Sequence, residues 1–167
     1  MTHQYSRFVS IFLQAVLPPI LCNGVAFECH PQNCVARFDI QSKELKGFII
    51  LDFGGLRIHP PTLKASTGLD LDDVMPPQYS VRAKTLDQVY ARSYHTIVHN
   101  HLQRLIRVLQ LHYNGLGWKV VREQLSKNIP IDHPLYDAWL SPSRRTVPGK
   151  AFMLMRTLSM NWNVSCS

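Results

Sequence analysis

Acidic residues are scarce in this chain, and basic residues never form a long run. Eleven Asp and Glu stand against eighteen Lys and Arg, which gives a formal net charge of +7 over 167 residues. The longest basic run is the pair Arg144-Arg145. Nucleic-acid-binding domains usually cluster their cations on one face or along one helix. We therefore expect no nucleic-acid partner and a surface suited to small anions.

Cysteine is equally scarce, with four residues at positions 22, 29, 34 and 166. No two of them have Cys-x-x-Cys spacing, which argues against a structural zinc site. Cys29 and Cys34 flank the most polar short segment of the chain and are expected to be reduced packing residues. This use of cysteine is typical of a cytoplasmic protein.

Long hydrophobic runs are also lacking. The run from Phe8 to Ile20 is interrupted by Gln14 and by Pro18-Pro19, and it is too short to cross a bilayer. We predict a buried helix from Tyr5 to Leu17 that the proline pair ends, and no membrane association. Because the chain starts almost inside this helix, residues 1–167 are expected to form a single domain whose N-terminal neighbour is missing.

Alternation and apolar runs predict a small antiparallel sheet after this helix. A polar turn from Gln41 to Gly47 would join its second and third strands as a hairpin. Residues 56–84, after the third strand, contain two proline pairs and are interpreted as an irregular segment. The predicted strands are Val25–Cys29, Cys34–Asp39 and Phe48–Leu51, and the acidic patch of Asp70, Asp72 and Asp73 is assigned to a solvated loop.

The remainder of the chain has helical periodicity. Thr85 and Gln88 form a capping box that opens a long helix, and Gly115 is expected to cap its end. Three shorter helices are predicted at Trp118–Leu125, Leu135–Leu140 and Lys150–Met160. An N-terminal helix, a small antiparallel sheet and a helical C-terminal half make an α+β fold.

The chemistry concentrates between the first two predicted strands. Glu28, His30, Gln32 and Asn33 lie within six positions, and Asp52 follows the third strand directly. Neighbouring strands could bring Glu28, Asn33 and Asp52 to one edge of the sheet. Carboxylate and amide oxygens are the ligands that Mg²⁺ prefers, so these three residues are candidate metal ligands.

Plainer interpretations exist for each of these residues. Glu28 could form a salt bridge with Arg37 or Arg57 that offsets its desolvation. His30 could be a hydrogen-bonded core residue instead of a donor to a phosphate. His95 and His99 have the i, i+4 spacing of zinc ligands, but the sequence shows no third ligand.

Two families share this layout of acidic and amide residues. Aminoglycoside-phosphotransferase-like kinases have an acidic residue five positions before an Asn, then a strand and an Asp. Glu28, Asn33 and Asp52 match that spacing. However, the segment Ala26-Phe27-Glu28 stands where those kinases have His-Gly-Asp. This kinase-like interpretation predicts ADP as a product.

A second family matches more of the chain. The segment Gly24-Val-Ala-Phe-Glu-Cys-His-Pro-Gln-Asn33, followed by Asp52-Phe-Gly-Gly55, resembles the signature of NRPS-independent siderophore synthetases, the aerobactin-synthetase (IucA/IucC) family. The similarity continues through Tyr94-His95 and Asn100-His101-Leu102, and again in Lys150 to Arg156. This resemblance implies the C-terminal, palm-like part of a synthetase for siderophore biosynthesis, a pathway of iron acquisition.

The resemblance also implies an activity and a set of roles. Members adenylate a carboxylate such as citrate with Mg·ATP, then transfer the acyl group to an amine or hydroxyl. By this resemblance Glu28 and Asp52 would hold Mg²⁺ beside Asn33. His30, as the catalytic residue, and Gln32 would contact ATP phosphate or the carboxylate. Adenylation needs neutralised phosphate charge and an oriented carboxylate. The resemblance leaves open a homodimer.

The chain departs from the family signature at three positions. Asn23 replaces a usual His, Pro31 a usual Gly, and Leu51 a usual Arg beside the metal site. The family's N-terminal residues, which grip the triphosphate and citrate, lie outside this sequence. We therefore expect no turnover from the isolated chain, and a decayed, non-catalytic fragment remains a further alternative.

Overall fold

The first helix is longer than predicted and passes through the proline pair. A computed structural model describes residues 2–141 and the backbones of two further strands, Thr146–Gly149 (β5) and Trp162–Ser165 (β6). Helix α1 spans Thr2–Asn23 and contains Pro18 and Pro19 in its interior. The prediction that these prolines end the helix is wrong.

Tertiary packing explains why α1 continues. A proline inside a helix removes a backbone hydrogen bond and crowds the carbonyl four residues earlier. Here Leu17 and Ile20 on either side of the pair are 1% exposed, so both halves of the helix are anchored in the core. By length and composition, His3–Asn23 is long and apolar enough to cross a membrane, so the expectation that this segment is too short is wrong. The expected lack of membrane association stays a prediction. The helix also carries the fully buried residues Val9, Phe12 and Leu13 of the core.

The strands form two separate antiparallel pairs in the region of the polar motif. β2 (Cys34–Phe38) and β3 (Leu45–Ile50) make the predicted hairpin, with Cys34 opposite Ile50. β1 is only Val25–Ala26 and pairs with β4, Arg57–Ile58. The motif therefore connects two sheets, and the prediction of one common sheet edge is wrong.

Residues 56–84 are more regular than expected. After β4 come helix α2, Pro60–Thr67, and the short helix α3, Leu71–Val74. The acidic patch is therefore not a loop: Asp72 and Asp73 lie in α3, and Asp70 is its N-cap. The Asp70 side chain accepts the Asp72 backbone N–H there. Lys64 pairs with Asp70 at 2.6 Å, and Arg82 pairs with Asp72 at 2.6 Å.

The long helix begins where the sequence indicates. Thr85 Oγ1 accepts the Gln88 backbone N–H, and Gln88 Oε1 accepts the Lys84 N–H. Three continuous segments follow: α4, Leu86–Tyr94; a π-helical segment, His95–Leu102; and α5, Gln103–Val108. Gly115 does not cap this helix. With φ +67° it precedes α6, Leu116–Asn128.

Helix α7, Pro134–Leu140, completes the helical half. The predicted helix Lys150–Met160 lies outside the described residues, as does Cys166. One core joins α1 with the long helix, α6 and α7, and β5 pairs with β6. The α+β class is confirmed.

Candidate active site

The polar motif forms the connection between β1 and β2. The backbone N–H of Cys29 donates to the Phe27 carbonyl, and the N–H of Asn33 donates to the His30 carbonyl at 2.9 Å. This turn leaves Pro31 and Gln32 exposed and places Asn33 in the core at 8% exposure. The motif is thus a tight loop whose tip faces solvent and whose ends are buried.

Glu28 is held from two sides. Its side chain is 16% exposed, and one carboxylate oxygen pairs with the guanidinium of Arg92 on α4. On the other side it packs against Gly55, where an added Cβ would lie 1.9 Å from the Glu28 Cδ. An ion pair offsets the desolvation of a half-buried carboxylate. The prediction that Glu28 pairs with Arg37 or Arg57 is therefore wrong.

His30 lies between Glu28 and Asn33. Its Nε2 is 3.9 Å from Glu28 Oε2 and 3.4 Å from Asn33 Nδ2. As a neutral ring with an unprotonated Nε2, it accepts from the Asn33 amide. With a hydrogen on Nε2 the ring cannot accept from Asn33, and Nε2 is too far from Glu28 Oε2 for a hydrogen bond. The tautomer of the ring therefore decides whether His30 and Asn33 are hydrogen-bonded.

Asp52 approaches the motif through its neighbours. The Leu51 N–H donates to the Asn33 carbonyl at 2.9 Å, and the Phe53 ring packs edge-on against Phe27 at 5.8 Å. Asp52 itself is exposed, and its Oδ1 accepts the Gly54 N–H at 2.7 Å. Among residues 2–141, Asp52 makes no hydrogen bond or ion pair with Glu28, His30 or Asn33.

The donor set suits a hard cation only in part. One oxygen of Glu28 is engaged by Arg92, which leaves Oε2, the Asn33 amide oxygen and the second oxygen of Asp52 as oxygen ligands. Across residues 2–141 no group of three or more His, Cys, Asp or Glu is placed to hold a metal. The predicted set of Glu28, Asn33 and Asp52 has only two residues of these types, so the metal site stays a prediction.

The other candidate pair, His95 and His99, packs edge to face with ring centroids 5.9 Å apart.

Two thiols belong to this region: buried Cys29 lies in the loop, and Cys34 is the first residue of β2. The Cys29 thiol hydrogen-bonds the Cys34 sulfur, which raises the pKa of Cys29, and burial adds to this. The same bond lowers the pKa of Cys34 to about 5 against the opposing effect of burial, with help from His101. His101 is 4% exposed, and its Nδ1 lies 2.9 Å from the Cys29 carbonyl oxygen. Cys29 and Cys34 are both free cysteines in the structure.

Cys34 should react as a thiolate at unusually low pH. Because only the thiolate is alkylated, its rate with iodoacetamide should reach half of its plateau near pH 5 and stay flat above pH 7. Peptide mass spectrometry separates Cys34 from the exposed Cys22. In Cys29→Ala the midpoint should move toward the ordinary value, since the largest cause is removed. An ordinary midpoint in the unmutated chain would contradict the thiol pair.

Sequence reasoning missed Arg92, and it named His101 in the resemblance without a role at the motif. Both lie on the long helix, far along the chain from the motif they support. The only signal for Arg92 was an unpaired cation on a helix that must pack against the sheet region. Conversely, Asn23 donates to Ser66 Oγ at 3.2 Å, and Leu51 is 60% exposed. Asn23 therefore contacts helix α2, and Leu51 faces solvent.

Comparisons with known proteins agree on one group. A family model described as "Ferric iron reductase FhuF-like transporter" matches residues 5–127. The chain is 48% identical over 150 residues to "NRPS-independent siderophore synthetase rfs" of Rhizopus delemar, covering 90% of this chain and 23% of that protein. It is 28% identical to "Staphyloferrin A synthase" of Staphylococcus aureus, covering 90% and 26%.

A solved structure shares the fold. The petrobactin biosynthesis protein AsbB of Bacillus anthracis matches with a TM-score of 0.58 at 16% identity, covering 72% of this chain and 23% of that one. The chain spans about a quarter of the length of the curated relatives it matches.

Proposed function

Because this chain belongs to the FhuF-like family, and to the NRPS-independent siderophore synthetases in particular, we propose that it forms the palm-like segment that activates a carboxylate with ATP. The proposed reaction is adenylation of a citrate-type polycarboxylate, followed by condensation with an amine or hydroxyl. The observation that carries this proposal is the Glu28–His30–Asn33 cluster, which Arg92 and Gly55 hold in place beside the Asp52 loop.

The proposed cofactors are ATP and Mg²⁺. Glu28 Oε2, the Asn33 amide oxygen and the free oxygen of Asp52 would hold the ion. Mg²⁺ supplies neutralisation of charge on the phosphates when it is bound. Asp52 is exposed, and among the described residues its side chain bonds only Gly54 of its own loop, so it can turn toward a ligand without breaking a core contact.

The remaining residues orient and donate. When Nε2 of His30 carries a hydrogen, it can donate a hydrogen bond to a phosphate or carboxylate oxygen. Gln32 lies exposed at the loop tip, where its amide can contact the same anion. Arg92 pairs with the Glu28 carboxylate and holds it in place beside His30. We propose a cytoplasmic location for this chemistry.

The reaction class is tested by one incubation. The protein is mixed with Mg·ATP, a panel of carboxylic acids that includes citrate, and hydroxylamine as a trap, and AMP is resolved from ADP. Citrate-dependent AMP together with a hydroxamate supports adenylation. ADP would instead support the kinase-like alternative. Because the chain spans about a quarter of its relatives, Mg·ATP binding is measured in parallel by calorimetry. The proposal fails if neither binding nor turnover occurs.

Asp52→Asn separates the predicted metal ligand from the rest of the site. Removing its charge should weaken Mg·ATP binding about tenfold, since outer and inner ligands of a metal site contribute on this scale. The free energy of unfolding should barely change, because the side chain is exposed. Asp132→Asn, also exposed and outside the loop, is the matched control. Equal binding by the two variants would remove Asp52 from the metal site.

A further inference from the structure

A second concave site lies in the helical half of the chain. A cavity of about 430 Å³ opens between the long helix, α6 and α7. Cavities of this size are ordinary small-molecule sites. The cavity is lined by none of the residues from the β1–β2 loop or the Asp52 loop. Whatever binds there is therefore recognised by other side chains than those of the proposed active site.

Aromatic rings form the walls of this cavity. Trp139 is fixed in place, because its indole N–H donates to the Tyr90 carbonyl at 3.2 Å and its ring packs edge-on against Tyr94 at 5.3 Å. Trp118 also lines the cavity and is 39% exposed. Two indole rings and a phenol ring favour a flat apolar body, because stacked and edge-on ring contacts add to the burial of area.

The polar groups of the cavity are almost all hydrogen-bond donors or cations. Arg122 on α6 contributes a guanidinium, Gln103 an amide, and Trp118 an indole N–H. Burial lowers the pKa of His99, so its ring is neutral and adds a hydrogen bond without a charge. Of the described lining residues, none is Asp or Glu. Arg122, an exposed residue, is thus the one described lining residue with a full charge.

We propose that this cavity binds an aromatic monocarboxylate. Arg122 pairs with the carboxylate group, and Gln103 hydrogen-bonds its second oxygen. The ring system enters between Trp118 and Trp139. A guanidinium recognises a carboxylate through parallel N–H bonds, so a neutral amide of the same shape is a poorer ligand. Citrate has three carboxylates and no flat body, so it does not compete here.

Calorimetric titration of the 167-residue chain with 2-naphthoate tests the proposal. We expect a single site, and binding of neutral 2-naphthamide that is weaker by about tenfold or more. Arg122→Gln should weaken 2-naphthoate by at least about tenfold, while Arg122→Lys keeps part of the affinity. Lys127→Gln, which removes an exposed cation from the same helix outside the cavity, should leave binding unchanged.

Four results would overturn the proposal. They are no measurable heat with 2-naphthoate, equal binding of the acid and the amide, no effect of Arg122→Gln, and displacement of 2-naphthoate by citrate. Binding of 2-naphthoate by Asp52→Asn should equal that of the unmutated chain, because Asp52 is outside the cavity. This measurement separates the test of the cavity from the test of the proposed adenylation.

Discussion

Gly55→Ala is expected to displace the Glu28 carboxylate and to disable the proposed active site. The new Cβ would lie 1.9 Å from Glu28 Cδ and 2.0 Å from Oε2, which no real contact allows. Glu28 is the movable partner, so its side chain must leave the position where Arg92 and His30 meet it. We expect Mg·ATP affinity to fall at least about tenfold and the free energy of unfolding to fall by about 1–3 kcal/mol.

The neighbouring glycine provides the matched control. In Gly54→Ala the nearest atom to the added Cβ is Asp52 Oδ1 at 3.2 Å, an exposed side chain that can move by a few tenths of an ångström. Neither glycine has the positive φ that only glycine adopts easily, so backbone strain does not separate the two variants. Urea denaturation and calorimetric Mg·ATP titration measure both. If Gly54→Ala and Gly55→Ala behave alike, close packing of Glu28 on Gly55 is not what shapes the site.

Arg92→Ala should destabilise the fold more than any exposed substitution. The side chains of Glu28 and Arg92 are 16% and 20% exposed, so removing the guanidinium leaves a half-buried carboxylate that has lost its Arg92 partner. Loss of one partner of a buried pair costs about 3–5 kcal/mol, and the partial exposure here puts our expectation near the lower end, about 3 kcal/mol. The free energy of unfolding from urea titration checks this value.

A double variant separates stability from function. Arg92→Met combined with Glu28→Gln removes both charges and should recover most of the lost stability, because no unpaired charge remains in the core. Its Mg·ATP binding should stay weak, since the predicted metal ligand is gone. Arg107→Ala, an exposed position in α5, should change neither quantity. A double variant no more stable than Arg92→Ala would show that the pair is held by packing and not by charge.

The sequence by itself determined the local parts of this protein. The hairpin of β2 and β3, the start of the long helix at Thr85 and the helices α6 and α7 depend on turn residues, caps and periodicity that lie within a few positions of one another. The polar motif was also visible as a short segment. These features need no distant partner, so neighbouring residues suffice to predict them.

Tertiary structure decided the rest. It carries α1 through Pro18-Pro19, because burial on both sides outweighs a local breaking signal. It pairs β1 with β4, and it supplies Arg92 to Glu28. It also brings His101 to the Cys29 carbonyl across 72 positions of the chain. Partners so far apart meet only when the core forms, and no pattern within a segment records which buried charge or donor will face it.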